Sequence, residues 1–149
     1  MKHLRVPSWA VGVFLGLAVI GFTDATYLAV EHYMGVVPPC TILKGCDTVT
    51  TSQYSTIAGI SVALFGSLYY LGLICLSIYI LTSKKFKLIR YLGHWTWLGL
   101  LAAIYFTSLQ VFVIRAYCIY CLTSALISLI VFIAAQELWR RERVCLEIH

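Results

Sequence analysis

Long apolar runs alternate with short polar or charged segments along the whole chain. Four of these runs, at about residues 8–33, 60–81, 91–113 and 117–138, are each about 20 residues or longer. A helix of about 20 mostly apolar residues crosses the hydrocarbon layer of a bilayer. Because a helix satisfies all of its own backbone hydrogen bonds, as lipid requires, the pattern predicts four transmembrane helices.

The composition agrees with lipid as the surrounding medium. Hydrophobic residues make up 61% of the 149 positions, and charged residues make up only 11%, whereas a soluble domain carries about 25% charged residues. The segments between the apolar runs are short, and the chain has no internal repeat. We therefore expect one domain over residues 1–149, an all-α integral membrane protein built as a four-helix bundle.

The basic residues are distributed unevenly between the predicted loops. The net charge is +5, and the chain has 11 Lys and Arg residues. Nine of them fall at the N-terminus, between the second and third runs, or after the fourth: Lys2, Arg5, Lys84, Lys85, Lys87, Arg90, Arg140, Arg141 and Arg143. Since basic residues accumulate on the cytoplasmic side, both termini are predicted to be cytoplasmic. The positive charge is thus interpreted as a topology signal and not as a nucleic-acid interface.

This topology sorts the six cysteines. The outer face receives two pairs, Cys40 with Cys46 in the loop at about 34–59, and Cys118 with Cys121 at the start of the fourth run. Cys75 lies inside the second run, where it is a small apolar residue. Cys145 lies in the cytoplasmic tail, where thiols stay reduced, and is assigned no role.

The Cys118–Cys121 spacing suits redox chemistry at the start of a helix. Residues three apart lie on one face of a helix, close enough for a disulfide. The helix N-terminus carries partial positive charge, which favours a thiolate and lowers its pKa. We expect Cys118 to be the more accessible thiol and Cys121 to lie about a turn deeper toward the hydrocarbon region.

Cys40 and Cys46 are separated by five residues in a loop, so they could pass electrons to Cys118 by thiol–disulfide exchange. Three alternatives remain at this point. The four outer cysteines could form two structural disulfides, they could bind zinc, or the CxxC could be incidental. Zinc sites pair two short Cys knuckles, and only one pair here has that spacing.

Several longer motifs are similar to those of the vitamin K epoxide reductase family, in particular its prokaryotic members. They are the loop "CTILKGCDTVTTSQYSTIAG", the start of the second run "GISVALFGSLYYL", the CxxC segment "AYCIYCLTSA" and "DATYLAVEHYMG" in the first run. The resemblance extends over about residues 21–128 and is much more specific than the CxxC alone. It implies a four-helix bundle around a quinone, closed on the outer face by the loop and a short capping helix.

The resemblance also implies roles for individual residues. Cys40 and Cys46 match the loop pair that shuttles electrons, and Cys118 and Cys121 match the active-site pair. By this match Cys46 exchanges with Cys118, and Cys121 lies against the quinone ring. Ser52 matches a position that lines the quinone pocket from the capping helix. The implied enzyme is a thiol:quinone oxidoreductase that forms disulfide bonds.

Prokaryotic members of this family oxidise a thioredoxin-fold partner and reduce a membrane quinone. The resemblance therefore implies a prokaryotic inner-membrane protein with a DsbA-like partner. That partner is expected to be a separate protein, without a fused thioredoxin-like domain in this chain. The acceptor is expected to be of the menaquinone, ubiquinone or phylloquinone type. The alternative from a different class is a non-enzymatic membrane protein with structural disulfides.

Two positions depart from the vertebrate enzymes, which hold the quinone with an Asn near the start of the second span and a Tyr after the CxxC. Val62 and Ala125 occupy these positions here, so the resemblance does not extend to activity on vitamin K epoxide itself. Asp24 lies in the outer half of the first run, where an ionisable group is a candidate functional residue. It either helps to protonate the reduced quinone, or it faces a water-filled cleft or bonds a neighbouring helix.

Overall fold

In the computed structural model, four long helices form an up-and-down bundle. The structure describes residues 7–40 and 45–147, the last three by their backbone only, so Lys2, Arg5, Lys44 and the Cys145 side chain lie outside the described part. The elements are the helices α1 (Ser8–Met34), α2 (Cys46–Thr50), α3 (Val62–Ser83), α4 (Ile89–Ser108) and α5 (Ile119–Glu147) and the strands β1 (Thr56–Ile57) and β2 (Ile60–Ser61).

All four predicted spans are present. The segments long and apolar enough to cross a bilayer are Ser8–Met34, Val62–Ser83, Phe86–Ile114 and Ile119–Val144. The predicted and observed bounds differ most at the end of the fourth span, which was predicted near residue 138. Beyond that point the helix carries an ion pair between Arg141 and Glu137, which lie one turn apart at 3.0 Å and add modestly to its stability.

The bundle buries its core along the seam between α1, α3 and α5. Helix α1 packs against both α3 and α5, and α4 packs mainly against α5. The fully buried side chains along this seam include Phe14, Tyr70, Leu73 and Val131. Many large apolar side chains point outward instead, such as Leu98 and Ile133, which are both 59% exposed. This outward apolar surface is what a bilayer covers, so the protein is a membrane helical bundle.

Polar contacts between helices are few and specific. The Thr26 and Ser67 hydroxyls join α1 to α3 at 2.8 Å, and the Gln136 side-chain amide joins α5 to α4 by donating to the Gly93 carbonyl at 2.9 Å. Within lipid such side-chain bonds supplement van der Waals packing of helices. They link α1 to α3 and α5 to α4 at defined positions along the bundle.

Candidate active site

One end of the bundle, where α1 ends and α3 begins, is covered by a short cap. Helix α2 begins at Cys46, a 3₁₀ turn covers Gln53–Ser55, and β1 and β2 form a two-stranded antiparallel hairpin that returns the chain to α3. The hydroxyl of Thr50 donates to the Cys46 carbonyl at 2.6 Å. The short capping helix was predicted from the sequence, and the hairpin was not.

The CxxC begins the last helix, as predicted. Cys118 lies directly before α5, and its carbonyl accepts the hydrogen bond of the Leu122 N–H at 3.0 Å. The segment before it is irregular, because residues Leu109–Ile114 form a π-helical turn and Arg115 adopts a left-handed conformation with φ 54°. This change of direction swings the chain out of α4 and back into α5 within a few residues.

Gln110, in that π-helical turn, holds Cys118 in place. Its side-chain Oε1 accepts the hydrogen bond of the Cys118 N–H at 3.0 Å, and Gln110 is only 2% exposed. The sequence analysis missed this residue. The available signal was an uncharged but polar side chain in the apolar run "YFTSLQVFVI", eight positions before a cysteine.

The two cysteine pairs meet beneath the cap. Cys40 and Cys46 form a disulfide with a Cα–Cα distance of 6.0 Å, whereas Cys118 and Cys121 are free thiols. Cys46 and Cys118 belong to one buried cluster with Val49, and Cys40 and Cys121 pack at its edge. The structure therefore brings together the four cysteines that the sequence singled out.

Close approach of the two segments depends on Gly45. A Cβ atom at this position would lie 2.8 Å from the Tyr117 backbone nitrogen and 2.9 Å from the Tyr117 carbonyl oxygen. Only a residue without a side chain lets α2 begin against the backbone that leads into the CxxC. The glycine thus accounts for the burial of Cys46 beside Cys118.

The accessibility of the two CxxC thiols is the reverse of the prediction. Cys118 was expected to be the more accessible thiol, but it is fully buried, and Cys121 is half-buried. The reason is the cap, since α2 covers the end of α5 at Cys118. Depth along a helix axis did not predict exposure because the covering segment comes from a distant part of the sequence.

The surroundings of Cys118 favour its thiolate. A hydrogen bond from the Cys121 side chain is the largest effect and lowers the pKa of Cys118 to about 7. Burial acts against this, and the backbone N–H groups of Cys121 and Tyr120 at the start of α5 add to the lowering. A thiol with such a pKa is partly ionised at neutral pH and is therefore reactive in exchange.

A large cavity lies between the cap and helices α1, α3, α4 and α5. Its volume is about 980 Å³, and its walls are mostly apolar and aromatic, with Phe65, Trp95 and Phe106 among them. Cys121 lines this cavity, and so does Ser52 from the cap. The Ser52 hydroxyl donates to the Val49 carbonyl at 2.8 Å, so its proton is engaged within the cap.

A family model described as "Vitamin K epoxide reductase family" matches residues 12–136. The chain belongs to the vitamin K epoxide reductase family. A comparison with curated proteins found no match. Membership makes this protein a membrane oxidoreductase of the disulfide-exchanging kind, from a family that is linked to quinones and generally works with thioredoxin-like partners.

The cavity fits the quinone that this family uses. Ligand pockets are typically about 300–1,000 Å³, mostly apolar, with a few polar groups, and this cavity has that character. One of its lining residues, Tyr69, has a buried hydroxyl without a partner in the described part of the chain. Val62 and Ala125, the two departures from the vertebrate enzymes, also line the cavity, and their side chains carry no hydrogen-bond donor.

The structure also bears on the predicted role of Asp24 and on the zinc alternative. Asp24 lies in α1 and is absent from the cavity lining, and its Oδ2 is buried with no partner among residues 7–40 and 45–147. Its role remains a prediction. The zinc alternative would need Cys40 and Cys46 as thiolates, and in this structure they are joined in a disulfide.

Proposed function

We propose that this protein is a thiol:quinone oxidoreductase that makes disulfide bonds in a thioredoxin-fold partner. In the net reaction, a partner dithiol and a quinone give a partner disulfide and a quinol, with two electrons and two protons transferred. The single observation that carries the proposal is the arrangement of sulfurs. Cys46 is packed against Cys118 in one cluster, and Cys121 of the same CxxC lines the apolar cavity.

The relay begins at the loop pair. A thiolate of the partner attacks the Cys40–Cys46 disulfide and forms a mixed disulfide. The second partner thiol then attacks that mixed disulfide, which leaves the partner oxidised and both loop cysteines reduced. Cys40 is the more exposed of the two, half-buried where Cys46 is 2% exposed, so we assign the first attack to the Cys40 sulfur.

The next step moves the electron pair inward. The Cys46 thiolate attacks Cys118 of an oxidised Cys118–Cys121 pair, and the Cys121 sulfur leaves. Cys40 then resolves the Cys46–Cys118 bond, which restores the loop disulfide and leaves both CxxC thiols reduced. The structure has this distribution of bonds, with the loop pair joined and the CxxC pair free.

The last step reoxidises the CxxC. Formation of the Cys118–Cys121 disulfide releases two electrons and two protons, and a bound quinone supplies the acceptor for them. Cys121 lines the cavity, and the lowered pKa of Cys118 keeps the second sulfur ready to close the bond. The buried site excludes water, which protects the reactive thiolate. Menaquinone, ubiquinone and phylloquinone types all have the flat ring that such a cavity accepts.

We further propose the orientation predicted from the basic residues. Lys84, Lys85 and Lys87 lie between α3 and α4, and Arg90 lies in the first turn of α4, at the end of the bundle opposite the cap. The cytoplasmic face is then the basic end, and the cap faces the oxidising side of a prokaryotic inner membrane. In this orientation a separate DsbA-like partner reaches Cys40 from the oxidising side.

The proposal is tested with purified protein in detergent. A reduced thioredoxin-fold protein is added with ubiquinone-1 or menadione, and quinone absorbance is followed. The expected result is stoichiometric loss of quinone with formation of partner disulfide, abolished by Cys121→Ala. The matched control is Cys75→Ala, because Cys75 lies in α3 outside the cavity and should leave turnover unchanged. Quinone reduction that survives in Cys121→Ala, or its absence in the wild type, would contradict the proposal.

A further inference from the structure

One face of α1 lines the cavity and ends in a histidine. Ala25, Leu28 and His32 all line it, and their spacing of three and four residues places them on one side of the helix. Ala25 and Leu28 are buried, whereas His32, in the last turn of α1, is half-buried. His32 therefore lies at the capped end of the cavity.

The imidazole of His32 is accessible and is not engaged by the protein. In the part of the chain that the structure describes, the enclosed polar side-chain atoms without a partner are Asp24 Oδ2, Glu31 Oε2 and the Tyr69 hydroxyl oxygen. The His32 nitrogens are not among these enclosed atoms, although they too have no hydrogen-bond partner among the described residues. A molecule in the cavity can therefore bond to them.

Other polar side chains at the cavity are poorer sources of a proton. The Ser52 and Ser55 hydroxyls already donate to carbonyls within the cap at 2.8 Å, and the Tyr70 hydroxyl is bonded to α5. No Asp, Glu, Lys or Arg is found among the lining residues that the structure describes. Histidine is the side chain that ordinarily gains and loses a proton near neutral pH, so His32 is the best candidate proton donor at this cavity.

The surroundings of His32 support its ring from two sides. The His32 carbonyl accepts the Gly35 N–H at 3.2 Å, where Gly35 ends α1 in a left-handed conformation with φ 66°. The Tyr33 ring packs edge-on against the imidazole, with the ring centroids 5.6 Å apart. The Tyr33 hydroxyl in turn accepts the Ser61 N–H of β2 at 3.4 Å. The imidazole is thus held between the end of α1 and the hairpin of the cap.

Reduction of a quinone by the CxxC needs a proton from a further group. Conversion of a quinone to a quinol takes up two electrons and two protons, and the two electrons come from the Cys118 and Cys121 sulfurs as they join. With its pKa lowered to about 7, Cys118 is partly a thiolate, the reactive form, which has no proton to give. Cys121 supplies one proton, so another group at the cavity has to supply the second.

We propose that the protonated imidazole of His32 donates a proton to a ring oxygen of the quinone as the CxxC disulfide forms. The inference rests on the proposed function, because it assumes a quinone in this cavity. In the balanced step, the Cys118 thiolate, the Cys121 thiol, protonated His32 and quinone give the disulfide, neutral His32 and quinol. The net charge is zero on both sides, and the two sulfurs lose the two electrons. His32 then regains its proton from water at the capped end.

A first experiment tests, without turnover, whether His32 meets the quinone. Protein with an oxidised CxxC is treated in detergent with diethyl pyrocarbonate, which modifies accessible imidazoles. Ubiquinone-1 is either absent or present at a concentration that saturates quenching of tryptophan fluorescence. Peptide mass spectrometry measures modification of His32 and of His94, the internal control, which is exposed on α4 and lies outside the cavity. Bound ubiquinone-1 is expected to reduce modification of His32 severalfold and to leave that of His94 unchanged.

A second experiment separates proton delivery from binding and stability. His32→Ala, His32→Gln and His94→Ala are reduced, freed of reductant and mixed with ubiquinone-1, and quinone absorbance is followed. Since general acid catalysis contributes about 100-fold or more, His32→Ala should reduce quinone roughly 100-fold more slowly than the wild type. His32→Gln keeps a hydrogen-bond donor but cannot release a proton, so it should be as slow. Free imidazole should restore part of the rate of His32→Ala. His94→Ala should match the wild type, and all variants should keep its melting temperature.

The outcomes that would overturn the inference are distinguishable from failure of the proposed function. The inference fails alone if saturating quinone does not protect His32, or if His32→Ala reduces quinone at the wild-type rate. It also fails if His32→Gln is as fast as the wild type, since a hydrogen bond then suffices. A slow His32→Ala that melts lower and is not rescued by imidazole would show a structural role instead. If the wild type reduces no quinone, the proposed function fails, and the inference fails with it.

Discussion

The two cysteine pairs are held by very different supports. Cys46 begins a helix of only five residues, whose bonds are mostly local to the cap, whereas Cys118 directly precedes a helix of 29 residues that packs across the bundle. Cys118 is further fixed by a buried side chain from the preceding span. The difference indicates a division of labour, in which the pair that meets a protein partner is lightly supported and the pair beside the cavity is firmly positioned.

The largest effect that separates the pairs is expected from Cys46→Ala. With a protein dithiol as the electron source, quinone reduction should fall to background, because the internal exchange with Cys118 is lost. With a small dithiol such as dithiothreitol it should continue, since a small thiol can reach the CxxC directly. Both rates are read from quinone absorbance. Equal loss with both donors would remove the distinction between the pairs.

The lowered pKa of Cys118 provides a second prediction, which concerns the CxxC pair alone. Alkylation of the reduced protein at Cys118 should rise with pH through a midpoint of about 7, since only the thiolate reacts. Cys121→Ala removes the main cause of the lowered pKa. If the pKa returns to about 8.5, the thiolate fraction at pH 7 falls roughly fifteenfold.

The alkylation is followed by mass spectrometry of the Cys118 peptide between pH 5 and pH 10. Cys75→Ala is the control and should leave the midpoint unchanged, because Cys75 is remote from the CxxC. A Cys121→Ala midpoint that stays near 7 would show that helix N–H groups, and not the second thiol, set the Cys118 pKa.

The support from Gln110 is tested by Gln110→Leu. This variant leaves the buried Cys118 N–H without its acceptor, which should cost about 1–3 kcal/mol in the free energy of unfolding. Turnover with dithiothreitol should fall as well, because the CxxC loses its fixed position. Gln110→Glu keeps an acceptor oxygen and should recover part of both losses.

Gln136→Leu is the matched control for this effect. Gln136 also bonds a backbone group on another helix, the Gly93 carbonyl, but near the opposite end of the bundle. Its loss should lower the melting temperature without changing turnover of the remaining folded protein. If Gln110→Leu and Gln136→Leu affect turnover alike, Gln110 contributes only stability.

The smallest effect is expected from Gly45→Ala, which disturbs the contact between the start of α2 and the backbone that leads into the CxxC. The added methyl would press against the Tyr117 backbone, and overpacking of this kind typically costs about 1–3 kcal/mol. Because the shift falls on α2, protein-driven turnover should slow severalfold while dithiothreitol-driven turnover stays the same. Gly12→Ala is a control, since a Cβ there meets nothing within 4 Å. A uniform loss with both donors would place the strain in the CxxC instead.

Some of these features were predictable from the sequence, and the reasons are physical. The four spans follow from apolar runs that only a bilayer accommodates, and the position of the CxxC at the start of α5 follows from where the last run begins. The burial of Cys118, its bond to Gln110 and the Tyr69 hydroxyl, which has no partner among the described residues, could not be predicted. Each depends on how distant segments pack, and hydrophobic periodicity contains no information about that packing.

The central claim is that electrons pass from the loop pair to the CxxC through a Cys46–Cys118 bond, and it can be tested by trapping that bond. In the double variant Cys40→Ala with Cys121→Ala, both resolving thiols are absent, so the mixed disulfide should persist. Peptide mapping under non-reducing conditions is predicted to find Cys46 joined to Cys118, in line with their shared buried cluster. Free thiols at both positions after oxidation, or Cys46 joined to another cysteine, would contradict the account.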